Sequence, residues 1–204
     1  MDIEKEAIIL DAANKVFLKY GYQKTSMDDI AKEAMIGKGT IYYYFNSKED
    51  IFVAVLKKAS SDIHEMLKQK VDDAKSFEEK YEIFMVEPFD NFMKHSKIIL
   101  QVLNDESHTF LKKIADFKQE SIDLKRCLLL EIFLYAKEND LLKDEYAEAL
   151  NRIVDVTFKW IMITGEYVKV NLSEEKIDDI KSDFLLMSKI FMDGLVKTIE
   201  LGEK

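Results

Sequence analysis

The amino-acid sequence predicts an all-α protein, and three observations carry that expectation. Apolar residues recur at three- and four-residue spacing through most of the chain, the signature of amphipathic helices. Six glycines and a single proline in 204 residues leave few helix breakers. The breaks that do occur coincide with capping signals. The chain divides on this reading into an N-terminal three-helix unit, residues 1–47, and a larger helical region, residues 48–204.

The first helix runs from Glu4 to Tyr20, with Ile8, Ile9, Ala12, Ala13, Val16 and Phe17 on its inner side. Gly21 follows at once and is placed to end it in the left-handed conformation. Ser26 caps a second helix, and Asp29 three residues on completes a capping-box pattern. Met27, Ile30, Ala31 and Ala34 form the inner face of that helix. Gly37 or Lys38 opens a third, which puts Ile41, Tyr42 and Phe45 on or near its inner side. Ser47 caps a fourth with Asp50 at the matching position, and Ile51 and Val55 pin it to the first three. Further helices are expected at Ser47–Val71, Ser76–His95, Lys97–Asn104, Ser107–Lys137, Lys143–Val170 and Ser173–Leu201. Pro88 should kink or break its helix near Val86 or Glu87.

Residues 21–51 carry the most specific chemistry. Two short helices joined by a tight turn form a helix-turn-helix when the first is small and apolar inside and the second is polar outside. Ile30, Ala31 and Ala34 meet the first need. Gly37 and Gly39 permit close approach to a groove, and Lys38, Thr40, Tyr43 and Tyr44 supply donors on the outer face. Thr25 and Ser26 lie at a helix N-terminus, where free backbone amides favour an anion such as a phosphate. Lys48, in the first turn of the fourth helix, is within reach of phosphate as well.

The stretch from Leu10 to Leu56, about a quarter of the chain, resembles the N-terminal domain of the tetracycline-repressor (TetR) family of transcriptional regulators. The matching residues are Ala12-Ala13, Phe17, Gly21-Tyr22, Thr25-Ser26-Met27, Ile30-Ala31, Ala34, Gly39-Thr40-Ile41-Tyr42, Tyr44-Phe45, Ser47-Lys48-Glu49 and Ile51. The resemblance implies an N-terminal DNA-binding domain and a C-terminal helical domain for ligand binding and dimerisation. It implies a homodimer on a palindromic double-stranded operator, released when a small-molecule effector binds. It also makes Lys38, Thr40 and Tyr43 the readers of base edges, and Tyr42, Tyr44, Lys48 and Thr25 the phosphate contacts.

Two departures from the family pattern matter. The family has glycine where this chain has Met35, and here the glycine comes two residues later. If the turn is kept, Met35 must adopt a left-handed backbone at a cost of about 1 kcal/mol. The only arginines, Arg126 and Arg152, lie far from the motif, so bidentate arginine–guanine contacts are excluded. An operator read through Lys38, through tyrosine and threonine contacts to thymine methyls, and through DNA shape is the expectation.

Beyond the motif the chain is rich in Phe, Met and Tyr. Such side chains suit a core, and as a group they also suit an adaptable ligand pocket between helices. Phe84, Phe92, Phe117, Phe133 and Phe158 are the expected lining, with Glu87 or Glu131 available to a cationic ligand. The last helices carry the expected dimer interface: Phe184, Met187, Ser188, Phe191 and Leu195.

The net charge of −9 works against nucleic acid as a partner, but binding follows local charge rather than total charge. It favours an alternative: a small-molecule binding protein of the same fold with little DNA affinity. His64, His95 and His108 are scattered and suggest no metal site. No catalytic signature or cofactor motif is present, so no enzyme and no cofactor are expected. No apolar run approaches the ~18 residues of a membrane span, and the acidic N-terminus does not read as a signal peptide. A cytoplasmic location is therefore expected. Cys127, the one cysteine, lies in a leucine-rich run and reads as a buried thiol, with an oxidation-sensing role as the competing possibility.

Overall fold

The short N-terminal helices form where the capping residues sit, and the long helices follow the apolar periodicity. The computed structural model describes the backbone of residues 2–88, 90, 108–170 and 174–197, and the side chains of 4–88, 90, 118–164 and 179–197. The described helices are α1 (Asp2–Tyr20), α2 (Met27–Glu33), α3 (Lys38–Tyr44), α4 (Lys48–Asp73), α5 (77–88), α6 (His108–Glu138), α7 (Asp144–Glu148), α8 (Leu150–Val170) and α9 (Glu174–Leu195). No strand occurs among the described residues apart from an isolated antiparallel bridge between Leu142 and Val196.

The chain forms two compact units, divided within α4 between His64 and Glu65 and within α6 between Ser121 and Ile122. In the first, Ile9, Ala13 and Phe17 of α1 pack with Met27 and Ile30 of α2, Ile41 of α3, and Ile51 and Phe52 of α4. The rings of Phe17, Tyr22 and Phe52 lie edge-on or tilted to one another at 4.9–5.8 Å, an arrangement that aromatic quadrupoles favour.

The second unit has its own core. Leu67 and Val71 from the end of α4 join Phe77, Tyr81 and Phe84 of α5, Leu129 and Phe133 of α6, Val154 and Phe158 of α8, and Phe184 of α9. Trp160 stacks on Phe184 at 4.8 Å, holding α8 to α9. Ser76 caps α5, its Oγ accepting from the Glu79 amide at 3.1 Å. Lys80 is buried, yet its ammonium donates to the Val71 carbonyl near the end of α4 and lies 5.1 Å from the Tyr135 ring centre. A buried charge is tolerated when it is hydrogen-bonded in this way.

Four sequence expectations change. The helix expected from Lys143 to Val170 is two, interrupted at Ala149, whose φ of −94° and ψ of 19° leave the helical region. The last helix ends at Leu195 rather than Leu201, because the chain turns to pair: the Lys143 amide donates to the Leu195 carbonyl at 3.0 Å and the Lys197 amide to the Leu141 carbonyl at 2.8 Å. Helical backbone continues without a break from 77 through Pro88. Cys127 is exposed, because it falls on the α6 face shared by Leu124, Glu131 and Leu134, opposite Leu129 and Phe133. The helix expected at 97–104 lies outside the described residues.

Candidate nucleic-acid interface

α1 stops because Gly21 takes a φ of 82° and its amide still reaches the Phe17 carbonyl at 2.9 Å. The Thr25 hydroxyl then donates to the Gly21 carbonyl at 2.8 Å, and Thr25 is buried. Its side chain therefore locks the turn and does not face solvent, which leaves only its backbone for an anion. Ser26 begins α2 with a complete capping box. Its Oγ accepts from the Asp29 amide at 3.2 Å, and its own amide donates to Asp29 Oδ2 at 2.9 Å. The Ser26 hydroxyl, followed by its backbone amide, holds the Asp29 carboxyl below its ordinary range.

The turn between α2 and α3 is a Schellman motif. The Ile36 amide donates to the Ala31 carbonyl at 3.0 Å and the Met35 amide to the Lys32 carbonyl at 3.1 Å. That pattern puts Met35 in the left-handed region, with a φ of 55°, as the sequence predicted. Met35 is 93% exposed, so the motif holds it there by backbone hydrogen bonds and not by packing.

α3 starts at Gly37 without a side-chain cap. Ile41 is its buried anchor, and Phe45 closes its far end, its backbone N–H donating to the Ile41 carbonyl at 2.9 Å. With that face committed, Lys38, Gly39, Tyr42 and Tyr43 point outward, and Thr40 and Tyr44 are half-buried. Tyr43 is 77% exposed and lies edge-on to Tyr44 at 5.1 Å. A Cβ added at Gly39 would meet nothing within 4 Å, so nothing in the protein itself demands glycine there. Tyr42, expected on or near the inner side and also as a phosphate contact, is nearly half exposed.

Two lysines of this face are already engaged. Lys38 Nζ lies 2.8 Å from Asp28 Oδ1 and 3.1 Å from Oδ2, and that carboxylate raises the lysine pKa. Lys48 Nζ donates to the Tyr22 carbonyl at 2.9 Å and sits 4.3 Å from the Tyr22 ring centre. Neither partner was visible in the sequence. Asp28 and Lys38 are ten residues apart across a turn, and no helical spacing rule connects them.

In the second unit, Phe84, Phe133 and Phe158 are buried in the continuous core, and neither described cleft includes them. Phe92 and the Phe117 side chain lie outside the described residues. Glu87 pairs with Lys70, and Glu131 pairs with Lys68 at 3.0 Å, so both carboxylates have partners on α4. One cleft, of about 520 Å³, runs past Leu130, Leu134, Lys137, Leu150 and Arg152. The other, of about 260 Å³, is lined by Val156, Thr157, Trp160, Met187 and Phe191.

Of the residues expected at a dimer interface, Phe184, Ser188 and Leu195 are buried within their own unit, Phe191 is half-buried, and Met187 is exposed. The outward apolar stripe is formed by Leu186, Met187 and Ile190 on α9 and by Val156 and Ile163 on α8. Ile163 is 70% exposed. No helix among the described residues is long and apolar enough to cross a membrane.

Residues 9–55 match the sequence model of a family described as bacterial regulatory proteins, tetR family. An uncharacterized HTH-type transcriptional regulator of Bacillus subtilis strain 168, YhgD, is 42% identical over 74 residues, which are 36% of this chain and 37% of that one. Another from the same strain, YuxN, is 27% identical over 189 residues, covering 87% of this chain and 63% of its own length. The chain thus spans less than two thirds of either relative. Among solved structures, the fatty acid degradation regulator FadR from Bacillus halodurans shares the fold, with a TM-score of 0.56 and 22% identity over 98% of this chain and 97% of that one. Taken with the α2–turn–α3 geometry, these likenesses show that residues 9–55 have the sequence and fold of the tetR-family N-terminal domain.

Proposed function

We propose that this protein is a ligand-responsive, DNA-binding transcriptional regulator. It represses from a palindromic operator as a homodimer and leaves that operator when a small hydrophobic or amphipathic inducer binds. In this reading residues 1–47 bind DNA, residues 48–204 bind ligand and dimerise, and the protein works in the cytoplasm. One observation carries the proposal: α3 is anchored by buried Ile41 and follows a hydrogen-bonded turn, while Lys38, Gly39, Tyr42 and Tyr43 stand outward.

A helix presented in this way fits a major groove, with its N-terminal residues at base edges. Lys38, Thr40 and Tyr43 read bases. Tyr42, Tyr44, Lys48 and the backbone around Thr25 and Ser26 hold phosphates. A single module buries too little surface for tight specific binding, which is the physical reason for a dimer. The exposed stripe of Leu186, Met187, Ile190, Val156 and Ile163 is the surface that a second copy would cover, in an isologous contact about a two-fold axis.

Release follows a shift of population. An apolar effector inserts among the aromatic side chains of the second unit, and Phe84, Phe133 and Phe158 repack around it. The movement passes along α4, whose first turn is tied to the DNA-binding unit through Glu49 and Lys48. An effector that favours the released state by a few kcal/mol lowers operator affinity about a hundredfold. The fatty-acid role of FadR makes acyl compounds a reasonable first class to screen.

Selection of bound duplexes from a random-sequence pool tests the proposal. The expected product is a palindrome whose half-sites, under α3, are dominated by A·T pairs. Failure to enrich any duplex contradicts the proposal, and G·C-dominated half-sites contradict the thymine-methyl readout. A second reading, a small-molecule binding protein with little DNA affinity, draws on the net charge of −9 and on the ion pair at Lys38. Ligand-dependent thermal stabilisation without any enriched duplex would favour it.

A further inference from the structure

We infer that Asp28 is a specificity-determining residue: it acts as a built-in counter-ion for Lys38, and a duplex must displace it. The inference rests on the DNA-binding reading above. Asp28 and Asp29 are neighbours in the first turn of α2, but their roles differ. Asp29 completes the capping box with Ser26, whereas Asp28 plays no part in that box. Asp28 also has Lys32 one helical turn along, the usual partner for a carboxylate on a helix surface. Its carboxylate instead crosses the turn to Lys38, with both oxygens within 3.1 Å of Nζ. Each side chain is more than half exposed, so the pair is held by attraction in water and opens easily.

The position of the pair gives it a consequence for DNA binding. Lys38 stands at the N-terminal end of α3, the end that enters a groove. A duplex that approaches Lys38 brings its phosphates toward the Asp28 carboxylate. On a random duplex Lys38 exchanges one anion for another and gains little, while Asp28 is left beside like charge. On an operator, base-edge acceptors and a fitted groove replace the carboxylate. The ion pair therefore weakens non-specific binding more than specific binding. Non-specific affinity is almost wholly electrostatic, so it is the more sensitive of the two to a single misplaced charge.

The test compares wild-type protein with Asp28→Asn, Asp28→Glu and Lys38→Met, and with Asp28→Asn combined with Lys38→Met. Two duplexes are used: one enriched by the wild-type protein from a random pool, and a scrambled one. For Asp28→Asn, affinity for the scrambled duplex should rise about tenfold and affinity for the enriched duplex about threefold, which reduces discrimination. The slope of log affinity against log salt for the scrambled duplex should steepen by about 0.9, the signature of one added phosphate contact. Asp28→Glu should restore wild-type behaviour, and Asp28→Asn should leave discrimination unchanged when Lys38 is already methionine. Circular dichroism and thermal unfolding check that each variant is folded.

Unchanged affinities and slope in folded Asp28→Asn overturn the inference while leaving the DNA-binding reading intact. An equal loss of discrimination with or without Lys38 also overturns it, since Asp28 would then act as a plain surface charge. If the wild-type protein and Asp28→Asn both fail to bind either duplex, the functional reading fails, and this inference with it.

Discussion

Tyr22 Oη donates to Glu49 Oε1 at 2.9 Å, which joins the turn after α1 to the first turn of α4, 27 residues away. Tyr22 is buried, with its ring against Phe17 and Phe52, so the hydroxyl is delivered to Glu49 by packing. Lys48 closes the same joint from the other side by donating to the Tyr22 carbonyl. Tyr22→Phe keeps the ring contacts and removes this hydrogen bond. It should cost about 1.5–3 kcal/mol, the value of a bond to a charged group. Urea unfolding at pH 7 checks this, and an unchanged midpoint would show the bond to be idle.

The same joint predicts a dependence on acid. Burial works to raise the Glu49 carboxyl, but its own backbone amide, the Tyr22 and Ser47 hydroxyls and the Lys48 charge outweigh burial and leave the pKa below 4.5. A depressed pKa in the folded state contributes stability above the unfolded value, and that contribution is lost as pH falls through the folded value. Glu49→Gln should therefore be destabilising at pH 7, and the difference from wild type should shrink once the pH drops below the folded pKa. Denaturation curves of both proteins over a descending pH series from pH 7 measure it.

Met35→Gly tests the strained turn. Glycine removes about 1–2 kcal/mol of left-handed strain and returns roughly 0.5–1 kcal/mol as greater freedom of the unfolded chain. Because Met35 is exposed, little packing is lost. A small net gain in stability is expected by urea unfolding. A clear loss would mean that the methionine side chain makes a contact of its own.

Gly39→Ala should separate stability from binding. Alanine in place of a helical glycine stabilises by up to about 1 kcal/mol, and the space around Gly39 is open. If the α3 backbone approaches the duplex there, the added methyl group stands in the way. The variant should melt higher and bind its selected duplex at least about tenfold more weakly, an effect of the size expected for a blocked base or backbone contact. Unimpaired binding would move the interface away from this end of α3.

Ile190→Asp places a charge in the exposed apolar stripe of α9. Analytical ultracentrifugation should show a shift from dimer to monomer, with the helical content retained. A dimer that survives this substitution would place the interface elsewhere.

Much of the N-terminal unit was legible because its signals are local. Ser26 with Asp29, Ser47 with Asp50, and Gly21 each specify a backbone event within three or four residues, and each occurs where expected. Even the left-handed Met35 followed from the family resemblance, which puts glycine at that position. What the sequence concealed was non-local. Thr25 reads as an anion contact until its hydroxyl is seen to serve the Gly21 carbonyl. The Lys38–Asp28 and Tyr22–Glu49 pairs depend on how helices pack, and no periodicity encodes them. The leucine neighbours of Cys127 suggest burial, yet the thiol is exposed. Its helical phase, in register with Leu124, Glu131 and Leu134, carried the correct answer. The break at Ala149 has no glycine or proline to announce it.

The claim that α3 reads DNA is tested most directly at Tyr43, the most exposed tyrosine of the motif and one with no core role to lose. Fluorescence anisotropy with the duplex enriched by the wild-type protein, at one fixed salt concentration, compares wild type with Tyr43→Ala. The account predicts an affinity loss of about tenfold or more, with unfolding behaviour unchanged. Wild-type affinity in the alanine variant would contradict it.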